Sequence, residues 1–214
     1  MSAHLYSKKI SYISVPKVAC TSIKSYVFEY ENGFPFKPMR INEKRWGVHN
    51  AYAGVEFEDL PHKRIANHAF YAVVREPVAR FLSCYSNRVQ HHRELAPKFI
   101  KPRFQKVGLK PNPTIHEFIE RLEEYRTTSR SVGWHSRPLT ASLGTDIKRY
   151  DRIYKFKELG EFVTDMNKRL GHNGTLPHLQ SGGKKIKADV LSKAEIQKIQ
   201  DHYASDYEFF SDYF

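Results

Sequence analysis

Two stretches of the chain carry residues whose types and spacing could do chemistry. The first is Pro16-Lys17-Val18-Ala19-Cys20-Thr21-Ser22. It follows the β-branched and aromatic run Ile10–Val15, which reads as a strand. After it, Ile23, Tyr26, Val27 and Tyr30 recur at i, i+3, i+4 and i+7, the apolar stripe of an amphipathic helix. A tight loop so placed points its backbone N–H groups, those of Ala19 and Cys20 among them, and the positive helix end at one spot. Such a spot suits an anion. Lys17 adds a full positive charge there, and Thr21 and Ser22 can donate hydrogen bonds. The alternative is a strand–turn–helix corner whose lysine is merely solvated. The loop is not a Walker A sequence: it has no glycine, and its lysine stands four residues before the threonine.

The second stretch runs from Ala69-Phe-Tyr-Ala-Val-Val74, a buried strand, into Arg75-Glu-Pro-Val-Ala-Arg-Phe-Leu-Ser83. Pro77 suits a first helical turn, and Val78, Phe81, Leu82, Tyr85 and Val89 form a core stripe. Glu76, Arg80, Ser83 and Asn87 then fall on the opposite, polar face. Arg75 stands at the carboxyl end of the strand, where ligands bind in open α/β sheets. Ser83, two turns along the helix, could share an anion with it; alternatively Arg75 pairs with Glu76. Between the two stretches, residues 39–68 show no sustained period and read as irregular chain with short helical pieces. Glu43, Trp46, His49, Tyr52, His62 and His68 lie there, and such a segment is a natural place for a catalytic side chain.

The elements that must position these residues fit a single α/β domain over residues 1–214. Hydrophobic content of 40% and 27% charged residues are ordinary globular values. The formal charge of +12 calls for an anionic partner, whether nucleic acid, nucleotide, acidic saccharide or membrane surface. No apolar run approaches the ~20 residues that span a bilayer, and no signal core precedes the first strand. Two cysteines, Cys20 and Cys84, are too few for a disulfide framework, so a cytoplasmic setting is the default. Downstream, Lys98, Lys101, Arg103, Lys106 and Lys110 make a basic stretch, either a solvated loop or the wall of a groove for an acidic acceptor. Thr114-Ile-His-Glu117 and Ser192-Lys-Ala-Glu195 are capping boxes. Tyr150–Phe156 reads as a further strand, and Leu159 to Leu170 as a helix closed by Gly171.

The first stretch resembles the 5′-phosphosulfate loop of sulfotransferases, and Arg75-Glu-Pro-Val-Ala-Arg-Phe-Leu-Ser-Cys-Tyr85 resembles their 3′-phosphate element. The wording is most similar to carbohydrate sulfotransferases of the chondroitin 4-O-sulfotransferase type. Trp134-His135, Tyr150–Phe156 and Tyr203–Phe210 resemble further parts of that family, so the likeness runs from about Ile10 to Phe210. The resemblance implies a mainly parallel sheet with flanking helices, in a P-loop-like nucleotide-binding fold. It also implies a reaction: transfer of a sulfuryl group from 3′-phosphoadenosine 5′-phosphosulfate (PAPS) to a hydroxyl of a saccharide-type, possibly acidic, acceptor. In this expectation neither a metal nor a nucleic acid takes part. In its terms Lys17, Ala19, Cys20, Thr21 and Ser22 hold the 5′ end, and Arg75 and Ser83 hold the 3′-phosphate. Lys184 and Lys185, in the glycine-basic segment Gln180–Lys187, close over the nucleotide. Lys17 serves transfer as well as binding. Val48-His-Asn-Ala-Tyr52 resembles a His-x-x-Tyr stretch of the 2-O-sulfotransferases, which implies His49 as base, with Glu43 and His68 as alternatives. The rivals are a P-loop-type kinase and a basic nucleic-acid-binding protein without catalysis.

Overall fold

The computed structural model of the chain describes residues 2–100, 102–179 and 182–214. Lys101 and the Arg103 side chain of the basic stretch, and Gln180 and Ser181 of the glycine-basic segment, lie outside the described residues. The chain opens with β1 (Ala3–Leu5), β2 (Ile10–Ile13), α1 (Cys20–Asn32), β3 (Met39–Ile41), β4 (Lys44–Trp46) and α2 (Val48–Ala51). Next come β5 (Ala69–Val74), α3 (Pro77–Cys84), a π-helical segment (Tyr85–His91) and α4 (Pro102–Lys106). Then follow α5 (Ile115–Glu120), α6 (Leu122–Thr128), α7 (Arg130–His135) and α8 (Thr140–Leu143). β6 (Arg152–Lys155), α9 (Leu159–Leu170), α10 (Lys193–His202) and α11 (Ala204–Phe210) complete the order. The chain gathers into two compact units, Met1–Val74 with Leu139–Gln180 and Asp212–Phe214, and Arg75–Pro138 with Ser181–Ser211.

The first unit is built on a four-stranded sheet of order β1-β2-β5-β6. β2, β5 and β6 are parallel, with Ile10 beside Ala69 and Val74 beside Lys155; β1 adds an antiparallel edge. Parallel strands are covered on both faces and so read as continuous apolar runs, which is why β2 and β5 are legible. Phe162 of α9 packs on Tyr12 and Tyr154, with ring centroids 5.7 and 5.3 Å apart. α1 buries Ile23, Tyr26 and Val27, and the Tyr26 hydroxyl donates to Asn167 of α9 at 2.9 Å.

The second unit is helical. Phe81, Tyr85, Phe118, Tyr125, Ile199 and Tyr203 are among the residues of its core. Both capping boxes form: Thr114 Oγ1 accepts from Glu117 N–H at 3.2 Å, and Ser192 Oγ from Glu195 N–H at 3.3 Å.

Three elements depart from the expectations. Residues 39–68 hold a β3–β4 hairpin whose turn residues Asn42 and Glu43 have φ of 48° and 63°, the two left-handed centres of a tight hairpin turn. β2 ends at Ile13 instead of Val15. The polar face of α3 is not a solvent face: Arg80 is 0% exposed, its guanidinium donating to Asp206 at 2.8 Å and to the Arg137 carbonyl at 2.7 Å.

Candidate active site

The chain leaves β2 at Ser14 and enters α1 at Cys20 through a loop anchored by Val15 and Val18, both almost fully buried. Lys17 and Ala19 adopt left-handed φ of 67° and 62°. Neither is glycine, so each holds a conformation that costs of order 1–3 kcal/mol. Where left- and right-handed residues alternate, successive N–H groups turn toward one side and make a concavity suited to an anion. Ala19, the residue before α1, offers no side-chain cap, so the first-turn N–H groups are not satisfied by a capping side chain and are open to water or a ligand. Lys17, Ala19, Cys20 and Thr21 are half-buried, and Ser22 is buried with its Oγ accepting from Leu179 N–H at 3.4 Å. The sequence-derived loop residues thus form one corner.

The structure brings His49 to this corner. Its Nε2 lies 2.9 Å from Thr21 Oγ1, and its Nδ1 lies 3.3 Å from Lys24 Nζ. α2 is set by burial of Val48, by the Gly47 N–H donating to Asn50 Oδ1 at 2.8 Å, and by the Tyr52 hydroxyl donating to Glu31 of α1. Burial, and after it that last bond, raises the Tyr52 pKa. Lys24 was not among the residues the sequence singled out. It is 1% exposed, and burial pulls its ammonium below the ordinary lysine value. Its position one turn after Thr21 was the available signal.

The two alternative bases lie elsewhere. Glu43 is exposed at the tip of the β3–β4 hairpin. His68 immediately precedes β5, at the end of the sheet opposite to the loop, where its Nδ1 lies 2.9 Å from Ser11 Oγ. Ser11 in turn lies 2.9 Å from His4 Nδ1, and burial, then His68, lowers the His4 pKa to about 4.

In the second unit Arg75 directly precedes Glu76, whose carboxylate caps α3 by accepting from Val78 and Ala79 N–H at 3.0 and 2.7 Å. Glu76 also accepts from the Tyr207 hydroxyl at 2.7 Å. Arg75 is half-buried, and burial pulls its pKa down; a bound anion would offset that cost. Ser83 is half-buried in the last turn of α3. Lys184 and Lys185 are exposed. Their segment is clasped to the π-helical turn by Ser86 Oγ donating to the Lys184 carbonyl at 2.5 Å and Asn87 Nδ2 to the Gly182 carbonyl at 3.3 Å. Gly183 has φ of 102°, and a Cβ there would lie 2.6 Å from Ser86 Oγ. A cleft of about 580 Å³ is lined by Gln90, His91, Arg93, Thr114, Gly183 and Lys184, among others. Arg75, Ser83 and Lys185 do not line it. Ser86 escaped the sequence reading, and Asn87 entered it only as part of the polar face of α3, because serine and asparagine on a helix carry no local signal for such a clasp.

Among the described residues no helix is long and apolar enough to cross a membrane, and no group of three or more His, Cys, Asp or Glu could hold a metal ion. Sheet and corner together define an α/β protein with a lysine-bearing loop at a strand–helix junction. A family model described as the Sulfotransferase family matches residues 6–213, nearly the whole chain. The chain belongs to that family. No curated protein and no solved structure matches it at a significant level.

Proposed function

We propose that the protein transfers the sulfuryl group of PAPS to a hydroxyl of a saccharide-type acceptor, as one sulfotransferase domain in a cytoplasmic setting. The observation that carries this reading is the loop before α1: two non-glycine left-handed residues, one of them a lysine, ahead of a thirteen-residue helix, in a chain of this family. β2 and β5 run parallel with Ile13 beside Ala72, so both strands point the same way, and each is followed in sequence by one cationic element. A nucleotide carrying anionic groups at two ends suits such a pair. The setting accords with two cysteines that form no disulfide.

In this reading the loop N–H groups, Lys17 and the Thr21 and Ser22 hydroxyls hold the 5′-phosphosulfate, while Arg75 and Ser83 hold the 3′-phosphate. Lys184 and Lys185 lie over the nucleotide. As the bond from sulfur to the bridging oxygen breaks, negative charge gathers on the 5′-phosphate. Lys17 and the first-turn N–H groups meet that charge. His49, beside the first turn of α1, takes the proton of the acceptor hydroxyl, work to which an imidazole is suited at neutral pH.

A thermal shift series with adenosine 3′,5′-bisphosphate, ATP and a short oligonucleotide tests the reading. Stabilisation by the bisphosphate in preference to the other two is the expected result. Arg75→Ala should weaken the bisphosphate by at least roughly tenfold, since a charge-assisted hydrogen bond contributes about 1.5–3 kcal/mol. Adenosine 5′-phosphate should be affected less. Preference for ATP would point to a kinase, and preference for the oligonucleotide to a nucleic-acid binder.

A further inference from the structure

Lys24 is a buried lysine with an uncommon neighbour. Its Nζ lies 3.3 Å from His49 Nδ1, and among the described residues no carboxylate pairs with it. The other titratable group acting on it is Cys20, one turn earlier on α1. His49 is in turn held at Nε2 by Thr21 Oγ1, and Lys17 stands in the loop just before this turn. Two protonation states fit these distances. In one, an ammonium donates to a bare Nδ1, which leaves Nε2 protonated and unable to accept. In the other, a neutral amine accepts from Nδ1–H, and Nε2 is bare and accepts from the Thr21 hydroxyl. Removing the ammonium from water without a carboxylate beside it favours the second.

We propose that Lys24 is a positioning residue that works with His49 as one proton-holding pair: its amine fixes the proton on Nδ1, leaves Nε2 open, and receives a proton through the ring. This rests on the functional reading given above. When an anion occupies the loop, the Thr21 hydroxyl turns to it and Nε2 faces the acceptor. The acceptor O–H bond breaks and Nε2–H forms; the proton on Nδ1 passes to Nζ. The acceptor oxygen bonds to sulfur, and the electron pair of the broken bond to the bridging oxygen stays on the 5′-phosphate. The pair ends with a neutral ring and a new ammonium, so one positive charge appears on the pair as one negative charge forms on the 5′-phosphate. The two groups therefore titrate as a unit, and turnover rises as the pair loses its proton.

Lys24→Arg and Lys24→Met separate this role from a structural one. Arginine keeps the charge and the donor but cannot accept a proton; methionine keeps the length without the amine. Both should lower kcat by about 10²–10⁴ while adenosine 3′,5′-bisphosphate binding changes less than tenfold. The acid limb of the kcat–pH profile should shift or vanish in both. Rescue of turnover by Lys24→Arg would overturn the proposal. Nitrogen-15 spectra of His49 give a readout independent of activity and of folding of the variants. The wild-type protein should show a neutral ring protonated at Nδ1 between about pH 7 and 9. A ring protonated at Nε2 over that range would overturn the pair whatever the enzyme does. Failure of the wild type to bind the bisphosphate would instead overturn the functional reading and leave the spectral result to judge the pair.

Discussion

Single side chains here divide into those held in cost that the proposed function assigns to a ligand and those held in cost for the fold. Lys17 is of the first kind: its left-handed φ of 67° is maintained by the buried Val15 and Val18 on either side. Lys17→Ala is expected to lower turnover by about 10²–10³, the scale of one lost transition-state donor. Nucleotide affinity should change less, because the backbone N–H groups remain. Steady-state kinetics check this, and a rise in KM alone would make Lys17 a binding residue. Arg80 is of the second kind. It and Asp206 are both 0% exposed at the side chain, and Arg80 also lies over the Tyr203 ring at 4.7 Å. Arg80→Met removes the arginine from a buried carboxylate, which costs about 3–5 kcal/mol and should lower Tm by roughly 10 °C. Changing Asp206→Leu as well should recover much of that loss in a melting experiment.

At the level of elements, what was legible depended on whether the signal was local. The capping boxes at Thr114 and Ser192 and the left-handed Gly171 after α9 lie within a few residues of the helix ends they define, and they form as read. β2 and β5 announce themselves by apolar, aromatic or β-branched runs. The β3–β4 hairpin did not, since its strands are mostly exposed and its turn is Asn-Glu in place of a glycine pair. The π-helical turn after α3 was equally silent: it keeps Tyr85 and Val89 buried, so the apolar stripe looks like an ordinary helix. The contact of Lys24 with His49 joins residues far apart in sequence, and no spacing rule reports it. The clasp at Gly183 yields a test at this scale. Gly183→Ala puts a Cβ against Ser86 at a left-handed φ and should cost about 1–3 kcal/mol of local closure. Amide hydrogen exchange at residues 182–185 should accelerate accordingly, with little change in the β5 amides.

For the whole molecule, several groups push stability the same way as pH falls. His4, His68 and His202 all have lowered pKa values, burial being the largest cause in each. A base whose folded pKa lies below its unfolded value binds fewer protons when folded. Its contribution is complete above about pH 6.5 and is lost as pH falls toward the folded value, about 4 for His4. Glu117 and Glu195 are held down at about 2, chiefly by the Lys110 bond and by the Ser192 N–H respectively. Their contribution is present above about pH 4.5 and fades toward pH 2. Tm should therefore be level near pH 7–8 and decline steadily from pH 6.5 to 4. His4→Gln, which cannot charge, should flatten the upper part of that decline in a melting series.

The exposed Lys184 and Lys185, followed by a C-terminal stretch with strong attachments of its own, make this chain a natural split protein. Beyond the two lysines lie Leu191, Ile199 and Tyr203 of the helical core and the buried Asp206 that faces Arg80. A backbone cut between the lysines would leave these contacts in place, because none depends on the severed peptide bond. Fragments 1–184 and 185–214, made separately and mixed, are expected to co-elute on size-exclusion chromatography. With Asp206→Ala in the short fragment, they should elute apart.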